Sequence, residues 1–264
     1  RVFSSLEQLA DNAQAASIAV PTDRHYEVAT LLINRGLHLL VEKPIAASTQ
    51  EAASMVELAT RRDIVLQVGH VERFNPVMKY LEQHLHRPRF IEAIRLATYP
   101  PPRPGAPPRG TEVSVVLDLM IHDLDIILHL VRSPLKEVHA VGVPVLSPSE
   151  DIANVRLVFK SGCVANVTAS RISRERMRKI RVFQEDTYVS LDYMNQAGQL
   201  CRRTPTGIEV AEVPIEKEEP LAAELSSFVS CVLERHTPLV TGQHGSDALK
   251  LAVEICRQIR ENPS

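Results

Sequence analysis

Three short apolar runs, at residues 16–20, 38–41 and 64–68, are separated by two stretches of helical periodicity, and this alternation restricts the start of the chain more than any other feature. None of the runs alternates with polar residues, so each reads as a strand covered on both faces, as in a parallel sheet under helices. Pro21 and Pro44 stop the first two runs. Between them, Val28, Leu31 and Leu32 recur at helical spacing from His25 to Arg35, and Gly36 offers a C′ stop. A second helix over residues 50–61 opens at Ser48 or Thr49, with Glu51 three residues beyond Ser48 as a capping box requires. Ser4 or Ser5 caps a shorter helix ahead of both. Strand, helix, strand, helix, strand is an α/β pattern.

The pattern then changes. Asn75-Pro76 reads as an N-cap with proline at the first helical position, opening a helix to about residue 86. A strand over 90–99 precedes a loop at 100–110, whose six prolines and two glycines exclude regular structure. A long helix is predicted over 112–131. Strands follow over 137–146, 152–160, 163–172, 178–186, 188–193 and 208–214, with tight turns at Lys160-Ser161-Gly162 and Ala197-Gly198. Helices over 221–235 and 245–261 close the chain. The expected fold class is therefore α/β plus α+β. A short α/β domain over residues 1–71 precedes an α+β domain over 72–264 with a largely antiparallel sheet.

The first domain carries only three predicted strands, no G-x-G-x-x-G exists anywhere, and the chain opens Arg1-Val2-Phe3 without a methionine. N-terminal strands of the first sheet are thus expected to be absent. Thirty Lys+Arg against 32 Asp+Glu leave a net charge of −2, which argues against nucleic acid and anionic membranes as partners. No apolar run approaches the ~20 residues of a membrane-spanning helix. Four cysteines without a C-x-x-C pair suit reduced thiols in a cytoplasm better than disulfides or a zinc ribbon.

Four groups of residues could carry chemistry. Glu42-Lys43-Pro44 sits at the carboxyl end of a buried strand, where open α/β sheets place ligands. Lys43 there can hydrogen-bond a substrate hydroxyl or stabilise a developing alkoxide, or it can serve as half of a strand-end ion pair. Asp118 and His122 stand four apart on an otherwise apolar helix. Burying that pair is costly unless it is satisfied, so it reads as a general base held by a carboxylate, or as a core histidine bonded to its neighbour. A metal would need a third ligand, and no spacing puts His25 or His70 there, so no metal site is expected. Arg73 could clamp a phosphate or carboxylate, with Asn75 beside it serving first as a cap. The basic run Arg171, Arg174, Arg176, Arg178, Lys179 and Arg181 could meet a diphosphate, or form a solvated hairpin or subunit contact.

Taken together, Val20-Pro21-Thr22 with His25, the run from Gly36 to Pro44 and Asp118-x-x-x-His122 resemble the glucose-fructose oxidoreductase / inositol dehydrogenase (Gfo/Idh/MocA) family in order and spacing, over the whole chain. The resemblance implies that residues 1–71 are a partial Rossmann domain lacking its first strands and glycine loop, a segment of about 60 residues, ahead of a domain with an open, mostly antiparallel sheet. It implies NAD-dependent oxidation of a sugar or polyol carbon, with NADP as the other possible cofactor. It implies Lys43 and His122 as the catalytic pair and Asp118 as the group orienting His122. Pro21, Thr22, His25, Glu42, Lys43 and Pro44 become the wall around the nicotinamide and its ribose. Residues 67–76, 116–125 and 168–171 resemble more narrowly a bacterial branch that oxidises UDP-N-acetylglucosamine at the 3-hydroxyl on the way to a diamino sugar of lipid A. In that branch Arg73, Asn75 and Arg171 would touch the substrate. The expected partner is a sugar or nucleotide sugar, and the expected assembly a homodimer or homotetramer. Another sugar or inositol dehydrogenase, or a non-catalytic binding or regulatory protein of the same fold, are the alternatives.

Overall fold

The computed structural model describes residues 2–105 and 108–261. The chain divides into two compact units, residues 1–74 with 219–250 and residues 75–218 with 251–264. In the first unit, β1 (Ala15–Ile18), β2 (His38–Glu42) and β3 (Leu66–Gly69) form a parallel sheet in that order, with Glu42 paired to Gly69 in register. The helices are α1 (Leu6–Ala10), α2 (His25–Asn34) and α3 (Thr49–Arg61). Local chemistry sets their ends. The Ser5 side chain accepts from the Gln8 amide, and Ser48 and Glu51 form the expected reciprocal capping box. Gly36 stands at φ +83° just past α2. Leu32, Ile33, Leu39, Val41, Ala52, Met55 and Val68 are buried, so both faces of β2 are apolar for a reason.

The second unit opens with α4 (Pro76–His84), capped by Asn75 with Pro76 in its first turn, followed by β4 (Phe90–Leu96). After the proline-rich stretch the chain makes a π-helical turn, Val116–Met120, and continues as α5 (Ile121–Val131). The uniform helix expected over 112–131 thus starts later and is wound differently across Asp118. Then come β5 (Leu135–Val143), β6 (Ile152–Phe159), β7 (Val164–Ser170), β8 (Met177–Phe183), β9 (Thr187–Asp192), β10 (Ala197–Thr204) and β11 (Gly207–Glu212). They form one eight-stranded sheet in the order β11-β10-β9-β8-β4-β7-β6-β5, antiparallel except for the β4–β7 pair. Helix α5 packs on β4 and β7. Ile91, Ala93, Ala165, Val167, Ile180 and Val182 are buried, while Glu92, Ile94, Asn166, Lys179 and Arg181 on alternate positions are not.

Two expectations change. β10 has no apolar run, since Gln199, Arg202 and Arg203 interrupt it, and its strand identity comes from pairing with β9 and β11. Ala197-Gly198 is consequently the start of that strand, and the turn lies just before it, with Gln196 at φ +48°. The second change concerns the boundary. Helix α6 (Pro220–Glu234) and the start of α7 (Gly242–Glu261) belong to the first unit, not to a domain running from 72 to 264. The Val68 amide donates to Val240 O (3.0 Å), and Gln67 Nε2 donates to Glu224 O (3.2 Å). β3 thereby finds partners far along the chain. Among the described residues no helix is long and apolar enough to cross a membrane.

Candidate active site

In the first unit the carboxyl ends of β1 and β2 carry the residues singled out in the sequence. His25 opens α2 and is buried. Its Nδ1 lies 2.9 Å from Pro44 O and its Nε2 2.9 Å from Val20 O. One ring therefore ties the loop after β1, which holds Pro21 and Thr22, to the Lys43–Pro44 turn after β2, whose peptide is cis. A neutral imidazole donates to one of these carbonyls at a time, whereas the cationic ring donates to both. Glu42, Lys43 and Pro44 are half-buried, while Pro21 is exposed. Gly69 lets Glu42 fold over the end of β3: a Cβ at Gly69 would stand 3.1 Å from Glu42 Oε2 and 3.3 Å from its Cα. Beyond β3, Arg73 is buried in the 3₁₀ turn Val71–Phe74.

The second unit holds Asp118 and His122. Asp118 lies within the π turn and His122 in the first turn of α5, and both are half-buried. π turns inside helices occur frequently at functional sites, because the extra residue re-aims side chains. The loop ahead of them is built around Asp118. Gly110 has φ +84°, and a Cβ there would fall 2.5 Å from Asp118 Oδ2 and 3.1 Å from its Cγ. Arg171, at the end of β7, is buried; its Nη1 donates to Gly110 O, and its Nη2 donates to Val113 O (2.7 Å) and Glu150 O (3.0 Å). Its Nε lies 3.5 Å from Asp151 Oδ1, and Asp151 Oδ2 accepts three amides, those of Val145, Leu146 and Ser147. Burial works to raise the Asp151 carboxyl, but those hydrogen bonds outweigh it and hold the group below its usual range.

Two residues expected at the substrate, Arg171 and Asn75, also make contacts within the protein. The Arg171 guanidinium is spent on loop carbonyls and a carboxylate, so its place is behind the loop that shapes the Asp118 site. Asn75 uses both ends of its amide: Oδ1 accepts from the Val77 amide (3.2 Å) and Nδ2 donates to Tyr193 O (3.1 Å). The rest of the basic run is surface: Arg174, Arg176 and Arg178 are exposed, and Arg181 pairs with Glu92 at 2.7 Å. Sequence reasoning missed Gly110, for which the only signal was a glycine closing a proline-rich loop. Replacing Gly110 with Ala should force Asp118 aside and lower kcat by on the order of 10²-fold, with a loss of about 1–2 kcal/mol from the left-handed backbone. Steady-state kinetics beside urea unfolding checks this, and an unchanged kcat would remove Asp118 from the working site.

All four cysteines are free thiols. Among the described residues no group of three or more His, Cys, Asp or Glu side chains converges as a metal site.

Comparison with known proteins adds the following. A family model described as an oxidoreductase family with an NAD-binding Rossmann fold matches residues 1–70, and a GFO/IDH/MocA C-terminal domain model matches residues 82–189. UDP-N-acetylglucosamine 3-dehydrogenase of Acidithiobacillus ferrooxidans is 34% identical, over 97% of this chain and 82% of the relative. Its solved structure superposes with a TM-score of 0.92, covering 99% of this chain and 83% of that one. Myo-inositol 2-dehydrogenase of Thermotoga maritima is 24% identical over 96% of this chain and 79% of the relative. A levoglucosan dehydrogenase in complex with NADH and L-sorbose shares the fold at a TM-score of 0.86 and 18% identity, over 98% of this chain and 81% of that one.

Proposed function

This chain belongs to the GFO/IDH/MocA family of NAD-binding oxidoreductases, and we propose that it oxidises the 3-hydroxyl of UDP-N-acetylglucosamine to the 3-keto sugar. The observation that carries the substrate is the 34% identity, over nearly the whole chain, to a relative named for that reaction. NAD is the assigned hydride acceptor, with NADP as the alternative.

Pro21, Thr22, His25, Glu42, Lys43 and Pro44 would hold the nicotinamide and its ribose. They sit at the carboxyl ends of parallel strands, His25 ties the two loops together, and Gly69 lets Glu42 lie over the end of β3. When bound, the nicotinamide supplies the hydride acceptor. The chain's own residues handle the proton. His122 takes it from the sugar hydroxyl, Asp118 fixes the His122 tautomer, and Lys43 hydrogen-bonds the same oxygen as negative charge builds on it. The first unit is assigned to the cofactor and the second to the sugar. Arg73 is retained as a candidate substrate contact. Assembly as a homodimer or homotetramer is part of the proposal, supported by the half-exposed outer face of the eight-stranded sheet. So is a cytoplasmic location, which suits four free thiols.

The test is NAD reduction, followed by absorbance, with UDP-N-acetylglucosamine, free N-acetylglucosamine and inositols offered separately. Turnover with the UDP-sugar alone is the expected result. Turnover only with an inositol or a free sugar overturns the substrate and keeps the family chemistry.

A further inference from the structure

Helix α6 turns one stripe inward, and its buried residues are Glu224, Phe228 and Cys231. Phe228 and Cys231 are what such a stripe requires. Glu224 is not: it is 1% exposed, and its Oε1 has no hydrogen-bond partner among the described residues. Its backbone carbonyl is held by Gln67 Nε2, and Gln67 is itself fully buried on β3 with an unpartnered Oε1. The neighbouring register position on β3 is Val68, opposite Val41, and then Gly69, opposite Glu42. Glu42 lies folded over Gly69, close enough for its charge to reach the Glu224 carboxyl. Burial of a carboxyl whose Oε1 has no donor, within electrostatic reach of a second carboxylate, disfavours its charged form.

We propose that Glu224 is a positioning residue for the nicotinamide wall: a carboxylic acid kept neutral behind Glu42, which leaves the end of β2 with one negative charge and so holds Glu42 over Gly69 and Lys43 at its turn. This rests on the reading of Glu42-Lys43-Pro44 as that wall. Burial first, and the Glu42 charge second, push the Glu224 carboxyl from its ordinary 4.5 up to about 8. The other charged or titratable groups on the packed elements are His38 on β2, Lys43 beside Glu42, His70 just before the 3₁₀ turn against which α6 packs, Glu72 and Arg73 within that turn, Glu219 at the α6 N-cap, and Cys231 and Glu234 on α6. Losing the Glu224 proton would set two like charges within electrostatic reach of each other. Glu42 is the half-exposed partner, so it is the one that moves, and the Lys43 turn moves with it.

The sign of the pH dependence is fixed by linkage. The folded protein keeps the Glu224 proton where the unfolded chain has lost it, so this contribution to stability is full below 4.5 and is lost as pH rises through about 8. Glu224→Gln keeps the shape and never ionises. Urea unfolding of wild type and E224Q across that window, without cofactor or substrate, should therefore show similar midpoints at its acid end. The gap in favour of E224Q should widen as pH rises and become constant beyond about 8. Glu42→Gln should move the end of that window to lower pH, because the Glu42 charge contributes to it. In the enzyme, wild-type kcat/KM should fall tenfold for each pH unit above the same point, and E224Q should lack that descent. A stability gap that does not depend on pH overturns the assignment of Glu224. A protein that shows the stability titration but binds no NAD by calorimetry overturns the wall on which the positioning role rests. A pH-dependent gap with an unaltered kcat/KM profile in E224Q reduces Glu224 to a buried acid without influence on the site.

Discussion

Replacing His122 with Asn should lower kcat by a factor of about 10²–10⁴, the usual range for losing a general base, and Lys43→Ala should cost a factor of similar order. Neither change removes a core side chain, because both residues are half-buried. The unfolding midpoints should accordingly stay close to wild type while turnover collapses. The two variants differ in kind. Asn keeps a hydrogen-bonding group but cannot take a proton, so the loss should fall on kcat with KM for the sugar little changed. On the proposed assignment, Lys43→Ala removes the donor that would stabilise charge on the reacting oxygen and also part of the nicotinamide wall, so KM for NAD should rise as kcat falls. Near-normal turnover in both variants would sink the assignment of the pair. A collapse in His122→Asn alone would keep the base and return Lys43 to the role of a strand-end charge. The measurement is steady-state NAD reduction with UDP-N-acetylglucosamine at saturating and at limiting concentrations of each substrate.

The parts of this fold that could be read from the sequence are those decided by neighbours along the chain. Ser48 and Glu51 cap α3, Asn75 and Pro76 open α4, and Gly36 ends α2, each within one turn of the residue that signals it. The β1–β3 sheet followed from apolar runs of strand length between helices. Lys43, Asp118 and His122 stood out because charged or polar residues interrupted apolar surroundings. What stayed hidden depends on contacts made across the chain. β10 is a strand through its pairing with β9 and β11, while its own residues alternate poorly. Glu224 lies in an unremarkable helical segment, and only the return of α6 to β3, far back in sequence, buries it. Arg171 belonged to a basic run that looks uniform in sequence. The structure separates it from the run by burial and by the three carbonyls it holds. The π turn at Val116–Met120 leaves no mark on hydrophobic periodicity, since the flanking residues are apolar on all sides.

The base proposed at His122 also depends on how α5 is anchored, and that anchor is a buried ion pair. Arg95 on β4 donates Nε to Asp123 Oδ2 at 2.8 Å and Nη2 to Oδ1 at 3.0 Å, and the two side chains are only 4% and 3% exposed. Asp123 directly follows His122, so this fork pins the first turn of α5 to the sheet. Arg95→Met should destabilise the protein by about 3–5 kcal/mol, because Asp123 is then left buried with its charge uncompensated. The pair itself need not be a net source of stability, since desolvating both ions offsets most of their attraction. The double variant Arg95→Met/Asp123→Leu should therefore recover most of what the single variant loses in urea unfolding. Turnover should part company with stability in that variant. Met and Leu restore packing but not the directional, two-point fork, so the repaired helix holds His122 less exactly in orientation and kcat should remain below wild type. If Arg95→Met alone stays within about 1 kcal/mol of wild type, the pair is solvated in solution and the anchoring argument fails. If the double variant regains both stability and turnover, packing alone fixes α5, and the fork is dispensable for placing the base.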